Sequence, residues 1–305
     1  YIFDHSWADA WQQTGKNYYP KLQISSPFTP VTGPRLLARS GHDYKNYLNV
    51  LSQKIEEITE NLSCSSAHIT FCTKSEWDIL NQSNYLLRTS EQFHWINRNY
   101  DSFEDFLSDL NSRKRKSIKK ERVIANCNGQ ITFKQFTGKE ISETHWDIFF
   151  NFYLDTGHRK WGTPYLNRKF FSLLGERMSD DILLIFAYKN GQAIAGALNF
   201  IGKDVLYGRY WGTNSYHPAL HFEVCYYQAI EYAIYNNLEK VEAGAQGSHK
   251  LSRGYLPTHT HSAHFILDQK FRSAVSKYIM RERQEIDLGI VIDASRGPFR
   301  SNKND

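Results

Sequence analysis

Apolar positions in this chain recur in two rhythms, and the switch between them marks out the elements. Leu48, Leu51, Ile55, Ile58 and Leu62 repeat at helical spacing, so residues 43–62 are expected to form a helix. A short helix and a strand precede it. Residues 67–71 and 93–97 alternate as strands do. Between the first strand and the helix, residues 25–35 hold three prolines and a glycine. Proline fixes φ and removes a donor, so this stretch is a rigid loop outside any ladder. Ser102 followed by Asp105 resembles a capping box, and a helix is expected over 103–122. Its apolar face is Phe103, Phe106, Leu107, Leu110 and Ile118.

The pattern restarts after Cys127-Asn-Gly129, which places a domain boundary there: 1–127, then 128–294, then a polar tail, 295–305, expected to be disordered. Residues 131–136 alternate as a strand, and two helices follow over about 142–156 and 166–178. Strands are expected at 182–188 and 192–201, joined by Asn190-Gly191, the preferred two-residue hairpin turn. A third strand covers 204–211. Pro218 suits the first turn of a helix running to about 237, and 240–243 is a further strand. An antiparallel meander thus leads into a strand-helix-strand crossover, which normally makes a parallel pair.

Composition adds class limits. At 305 residues and 41% hydrophobic content the chain is globular and long enough for two domains. No run approaches the ~20 apolar residues of a membrane helix. Residue 1 is Tyr, so the sequence is expected to begin inside a longer protein. Four cysteines without ligand spacing suggest reduced thiols and a cytoplasmic setting. His259, His261 and His264 lack a matching Cys or carboxylate set, and no metal is expected.

The net charge is +5, but it is not spread out. Residues 113–122, RKRKSIKKER, hold seven of the 37 basic residues and one of the 32 acidic ones, leaving the other 295 residues at −1. Arg113, Lys116 and Lys120 line one flank of the expected helix. They are either a solvated helix end opposite the acidic first turns or an anion and nucleic-acid surface.

Candidate chemistry collects in the second half. On the third strand, strict alternation puts Tyr207, Arg209 and Trp211 on one face. That would be a groove pairing an anion or carbonyl with Arg209 and stacking a planar group, or an Arg passing aromatic packing. Glu223 lies within the apolar stripe of the following helix (Leu220, Val224, Tyr227, Ile230, Ile234), with His221 further round. A carboxylate there is a base or a lock on a buried donor. The loop after the last strand carries Glu242, Gln246, His249, Lys250, Arg253 and Tyr255 among three glycines. Glu242 and His249 are general-base candidates, and Lys250 and Arg253 suit an anion or a developing oxyanion.

The stretches SPFTPVTGPRLL (26–37), KWGTPYL (160–166), LYGRYWG (206–212), HFEVCYY (221–227) and EAGAQGSHKLSRGY (242–255) resemble the bacterial FemAB-like family of N-acyltransferases in the GNAT superfamily. The resemblance implies an α/β (α+β) fold of tandem GNAT-like domains, each a mixed, mostly antiparallel sheet flanked by helices. It implies transfer of an acyl or aminoacyl group to an amine, with a peptidoglycan precursor or peptide as acceptor. Acyl-CoA or aminoacyl-tRNA would be the co-substrate, with no tightly bound cofactor. Catalytic candidates are then Glu242, His249 and Glu223. Substrate-binding candidates are Tyr207, Arg209, Trp211, His221, Gln246, Lys250, Arg253 and Tyr255. The run from Arg209 to Asn214 half-matches the R-x-x-G-x-G/A turn that holds the CoA pyrophosphate, with Asn at the last position. The alternative to an enzyme is a peptide- or muropeptide-binding protein on the same scaffold.

Overall fold

The computed structural model describes residues 4–160, 164–245 and 247–300. In chain order the elements are α1 (His5–Gln12), β1 (Leu22–Ile24), α2 (Tyr44–Asn61), β2 (Ser66–Cys72), α3 (Lys74–Leu80), β3 (Leu86–Ile96), α4 (Phe103–Asp109), α5 (Ser112–Asn126), β4 (Ile131–Thr137), α6 (Glu143–Lys160), α7 (Arg168–Arg177), β5 (Ile182–Lys189), β6 (Gln192–Ile201) and β7 (Val205–Thr213). There follow α8 (Leu220–Phe222), a π-helical turn (Glu223–Tyr227), α9 (Gln228–Tyr235), β8 (Lys240–Glu242), a 3-10 turn (Ser248–Arg253), β9 (Leu256–Ile266) and α10 (Gln269–Ser295). The fold class is the expected one, mixed α/β with a mostly antiparallel sheet flanked by helices.

The chain forms two compact units, but not at the expected boundary of 127/128. Unit 1 holds the residues up to Gln92 together with Pro257–Ser295, and unit 2 holds Phe93–Leu256 and the residues from Arg296. The reason is pairing distant in sequence. In unit 1, β2 pairs antiparallel with β9 from Ser66↔Ile266 to Cys72↔His261, while β1 runs parallel to β2. Leu36, Leu48, Ile69, Leu80 and Phe265 form one core of that unit.

A buried polar network ties the start of the chain into unit 1. Lys21 and the Tyr18 hydroxyl both donate to Asp4, at 2.7 and 2.5 Å. His68 Nε2 lies 2.8 Å from Ser66 Oγ, and its Nδ1 lies 2.7 Å from Nδ1 of His264. An N···N hydrogen bond needs one ring donating and the other accepting. Both rings are fully buried, and desolvation holds both far below the usual histidine range, His68 at about 3.

Unit 2 has the strand order β3–β8–β7–β6–β5–β4. The Asn190-Gly191 turn closes the β5–β6 hairpin with both residues at positive φ (51° and 76°) and Lys189 opposite Gln192. β7 then runs antiparallel to β6 and parallel to β8, as the crossover required. One face of the sheet packs on Phe106, Leu107, Ile118, Val224 and Ile230; the other packs on Trp146, Phe149, Phe152 and Phe171.

Two expected elements differ. The helix expected over 103–122 is broken, because Leu110 is extended (ψ 151°) and Asn111 caps a new helix by accepting from Lys114 N–H at 3.0 Å. The break creates a docking place for the tail. Leu110 bridges Phe299, Asn111 N–H donates to the Pro298 carbonyl at 2.8 Å, and the Arg98 guanidinium stacks 3.9 Å over the Phe299 ring. Residues 296–300 are therefore ordered rather than a loose tail; 301–305 lie outside the described residues. The crossover helix also begins later than expected, at Leu220 after a left-handed Ala219 (φ 62°).

His68, His94 and His264 are all buried and held below the usual histidine range. The unfolded chain therefore binds protons that the native chain refuses, from about pH 6.5 downward, so stability is full above that value and falls as pH drops toward 3. Urea unfolding at pH 7.5 and pH 5 is expected to show a loss of at least about 2 kcal/mol, since each linked proton is worth about 1.4 kcal/mol per pH unit. Equal midpoints at the two pH values would contradict the buried neutral imidazoles.

Candidate active site

Two strands that run parallel and then part define the site. β7 and β8 pair at Val205↔Lys240, Leu206↔Val241 and Tyr207↔Glu242, and no further pair follows. Immediately beyond, β7 bulges. Asn199 faces Gly208 and Leu198 faces Tyr210, so Arg209 is the extra residue. The bulge overturns the strict alternation of Tyr207, Arg209 and Trp211. Tyr207, opposite Phe200, and Trp211, opposite Ala197, fall on different faces of the sheet.

The α8 side gathers most of the candidates. Trp211 meets the His221 ring edge-on at 5.2 Å, and His221 contacts Phe222 and Tyr226. Tyr226 O–H and His249 Nε2 are 2.9 Å apart, and Tyr226 lies against Tyr255. The Tyr255 hydroxyl is fully buried and has no hydrogen-bond partner among the described residues, and desolvation drives its pKa well above the usual tyrosine value. Cys225, in the π turn, lies close enough to be felt by Tyr255 and Lys250. Burial, Arg253 and Lys250 together lower the His249 pKa, though its side chain is largely exposed. Gln246 lies outside the described residues.

The opposite face holds the carboxylate. Glu242 is 4% exposed; its Oε1 takes a 2.5 Å ion pair from Lys240, while its Oε2 is buried without a hydrogen-bond partner among the described residues. His94 of β3 sits directly across from Glu242 in the antiparallel register, with Nε2 3.9 Å from that oxygen. Burial, then Lys240 and Lys250, pushes His94 down to about 3. Sequence reading missed His94. Its strand was visible, but nothing in the sequence says that this strand lies beside β8. Burial, then Glu242 and Asp204, raises the Tyr207 pKa.

Arg209 is held between two tyrosines. Its Nη2 donates to the Tyr165 hydroxyl at 3.1 Å, and its guanidinium stacks 4.5 Å from the centre of Tyr210. The half-match to a pyrophosphate turn has a packing explanation instead. Gly212 lies inside β7, where a Cβ would come within 2.3 Å of the Phe152 carbonyl oxygen. The helix that follows has three α-helical residues before the π turn begins.

Two bidentate ion pairs bolt α5 to this region. Glu121 accepts from Arg253 Nη2 and Nε, at 2.8 and 3.1 Å, and also from the Tyr227 hydroxyl. Arg253 further donates to the His249 carbonyl at 2.7 Å and stacks 3.4 Å from the Phe222 centroid. Arg122 donates to Glu223 at 2.8 and 3.1 Å and to Glu231 at 2.7 and 3.1 Å. Gln228 also donates to Glu223 at 2.8 Å. Burial raises the Glu223 pKa, against the pull of Arg122. Glu223 is thus a lock on Arg122 and not a free base, and Arg253 is an anchor whose donors are occupied within the fold. On the outer flank of α5, Arg113, Lys116 and Lys120 are exposed and make no ion pair with the described residues.

The comparisons agree with this architecture. A FemAB-like family, described as peptidoglycan biosynthesis/recognition, matches residues 1–301, and the chain belongs to that family. No curated protein matches the chain. Among solved structures, FemX superposes with a TM-score of 0.52 at 11% identity, covering 83% of this chain and 85% of its own. L-PGS from Bacillus licheniformis superposes with a TM-score of 0.53 at 8% identity, covering 78% of each chain. At such identities the likeness concerns the fold.

Replacing one partner of the Glu121–Arg253 pair leaves the other charge poorly compensated. Glu121→Gln and Arg253→Met are each expected to cost about 3 kcal/mol in chemical denaturation, and the double variant less than the sum of the two. Additive costs would mean that the two residues do not support each other.

Proposed function

We propose that this protein is an aminoacyltransferase that moves an aminoacyl group from a tRNA ester to an amine of a peptidoglycan precursor. The observation that carries this reading is the parting of β7 from β8 beyond Tyr207↔Glu242. Next to that point lie the exposed His249 and the Trp211, His221 and Tyr226 aromatic set, with Lys250 and Tyr255 buried in the same loop. Membership of the FemAB-like family supports the peptidoglycan side of the reading.

The choice of donor rests on charge and on helix geometry. Phosphate contacts need Lys and Arg, and α5 presents Arg113, Lys116 and Lys120 on a helix joined rigidly to the site loop through Glu121 and Arg253. A CoA pyrophosphate is usually met by amides at a helix start. Here the crossover helix starts after a left-handed Ala219, and Gly212 is committed to packing. Binding and positioning would supply much of the rate.

The test is transfer from alanyl-, seryl- or glycyl-tRNA to a UDP-linked muramyl pentapeptide, with acetyl-CoA as the competing donor. Transfer from tRNA with no turnover of acetyl-CoA is expected. Joint neutralisation of Arg113, Lys116 and Lys120 to Gln is expected to weaken tRNA binding and to reduce the slope of log affinity against log salt by about 2 to 3. An unchanged slope would return these bases to a solvated helix end. Binding of the muramyl pentapeptide without turnover of any donor would favour a binding protein on this scaffold.

A further inference from the structure

The treatment of buried cations in this chain is uneven. Lys21 meets Asp4 at 2.7 Å, Arg88 meets Glu282 at 2.7 Å, Arg253 meets Glu121 at 2.8 Å and Arg122 meets Glu223 at 2.8 Å. Lys250 is more buried than any of them, at 1% exposure. Its Nζ donates to the Gly244 carbonyl at 2.6 Å and makes no ion pair with the described residues. An ammonium taken out of water without a carboxylate is costly. A side chain needed only for packing would not carry that charge.

The place of Lys250 is as telling as its burial. It lies in the 3-10 turn that follows β8, just past the point where β8 leaves β7. Its charge reaches His94 on one face of the sheet and Cys225 on the other. Burial, partly opposed by Cys225, pushes the amine down to about 8, so neutral and protonated forms coexist near neutral pH. The other candidate bases are less suited. Glu242 is held by Lys240, and His249 is an exposed ring tied to Tyr226.

We propose that Lys250 is the proton-transfer group of the aminoacyl transfer, a role that rests on the transferase reading above. Neutral Nζ takes the proton from the attacking amine as its nitrogen bonds to the donor carbonyl carbon. The carbon–oxygen bond to the leaving tRNA hydroxyl then breaks, and that oxygen takes the proton from the Lys250 ammonium. Lys250 returns to the neutral amine, and no further reactant is consumed. A group titrating close to working pH suits such a shuttle better than an ordinary lysine or a weakly basic, buried imidazole.

The test separates titration, turnover and folding in the full chain. With 13C at lysine Cε, the NMR resonance that is missing from Lys250→Arg is expected to titrate near pH 8, well below the about 10.4 of an ordinary lysine. Lys250→Arg keeps charge and donors but has no lone pair to accept a proton. It is expected to lower kcat at least about 100-fold, to remove the rising limb of the kcat profile near pH 8, and to leave both KM values within a few-fold. Lys250→Met is expected to be equally inactive yet to melt no lower than the wild type, whereas a merely structural lysine would lower the melting temperature on removal. An ordinary midpoint near 10.4, or an active Lys250→Arg, overturns the role. A midpoint near 8 in a wild type that transfers nothing from any donor refutes the transferase reading, and the role with it, while the titration stands.

Discussion

The bidentate pair between Glu121 and Arg253 is the contact on which the site depends. It joins α5, which comes early in unit 2, to the 3-10 turn that carries His249 and Lys250. The same helix, one residue on, holds Glu223 and Glu231 through Arg122 and so fixes the π turn. A π turn packs an extra residue into the helix. It is this turn that sets Cys225, Tyr226 and Tyr227 toward the site loop. The charges of Glu121, Arg122, Glu223 and Arg253 therefore build the frame, and the chemistry has to come from groups the frame leaves over.

That division explains what was legible in the sequence. The hairpin at Asn190-Gly191, the meander and the parallel crossover follow from period-two patterning and turn chemistry, which are local. The break at Asn111 is local too, since Asn111 caps the second helix by accepting from Lys114 N–H, but the apolar face continues across it and hides the break. The unit boundary was not legible. It depends on β9 returning to β2 across nearly 200 residues, and no local pattern encodes that pairing. The bulge at Arg209 was hidden for a related reason. Bulges are visible only against the partner strand, and one extra residue moves every later side chain to the other face.

The site was legible as a set of residues and not as a set of roles. Trp211, His221, His249 and Tyr255 do come together, and Lys250 and Arg253 share their loop. Yet two residues of identical promise in the sequence, Lys250 and Arg253, have opposite fates. Arg253 has Glu121, the His249 carbonyl and the Phe222 ring; among the described residues Lys250 has one carbonyl. Charge type alone cannot distinguish a paired cation from an unpaired one, because the difference lies in which partners arrive from elsewhere in the chain.

The placement of the net charge follows the same logic. Seven bases in ten residues look like a single patch, but Arg122 is spent on two carboxylates and Lys119 pairs with Glu104 at 2.5 Å. What remains on the outer flank, Arg113, Lys116 and Lys120, is a smaller and better defined surface than the composition suggests. Because α5 is clamped to the 3-10 turn, a polyanion bound on that flank, as proposed above, would be held at a fixed offset from Lys250 and not on a mobile arm. A long donor anchored at one end and reacting at the other needs that rigidity, since the rate gained by positioning is lost when the reacting carbonyl can wander by an ångström. A small thioester would gain nothing from it.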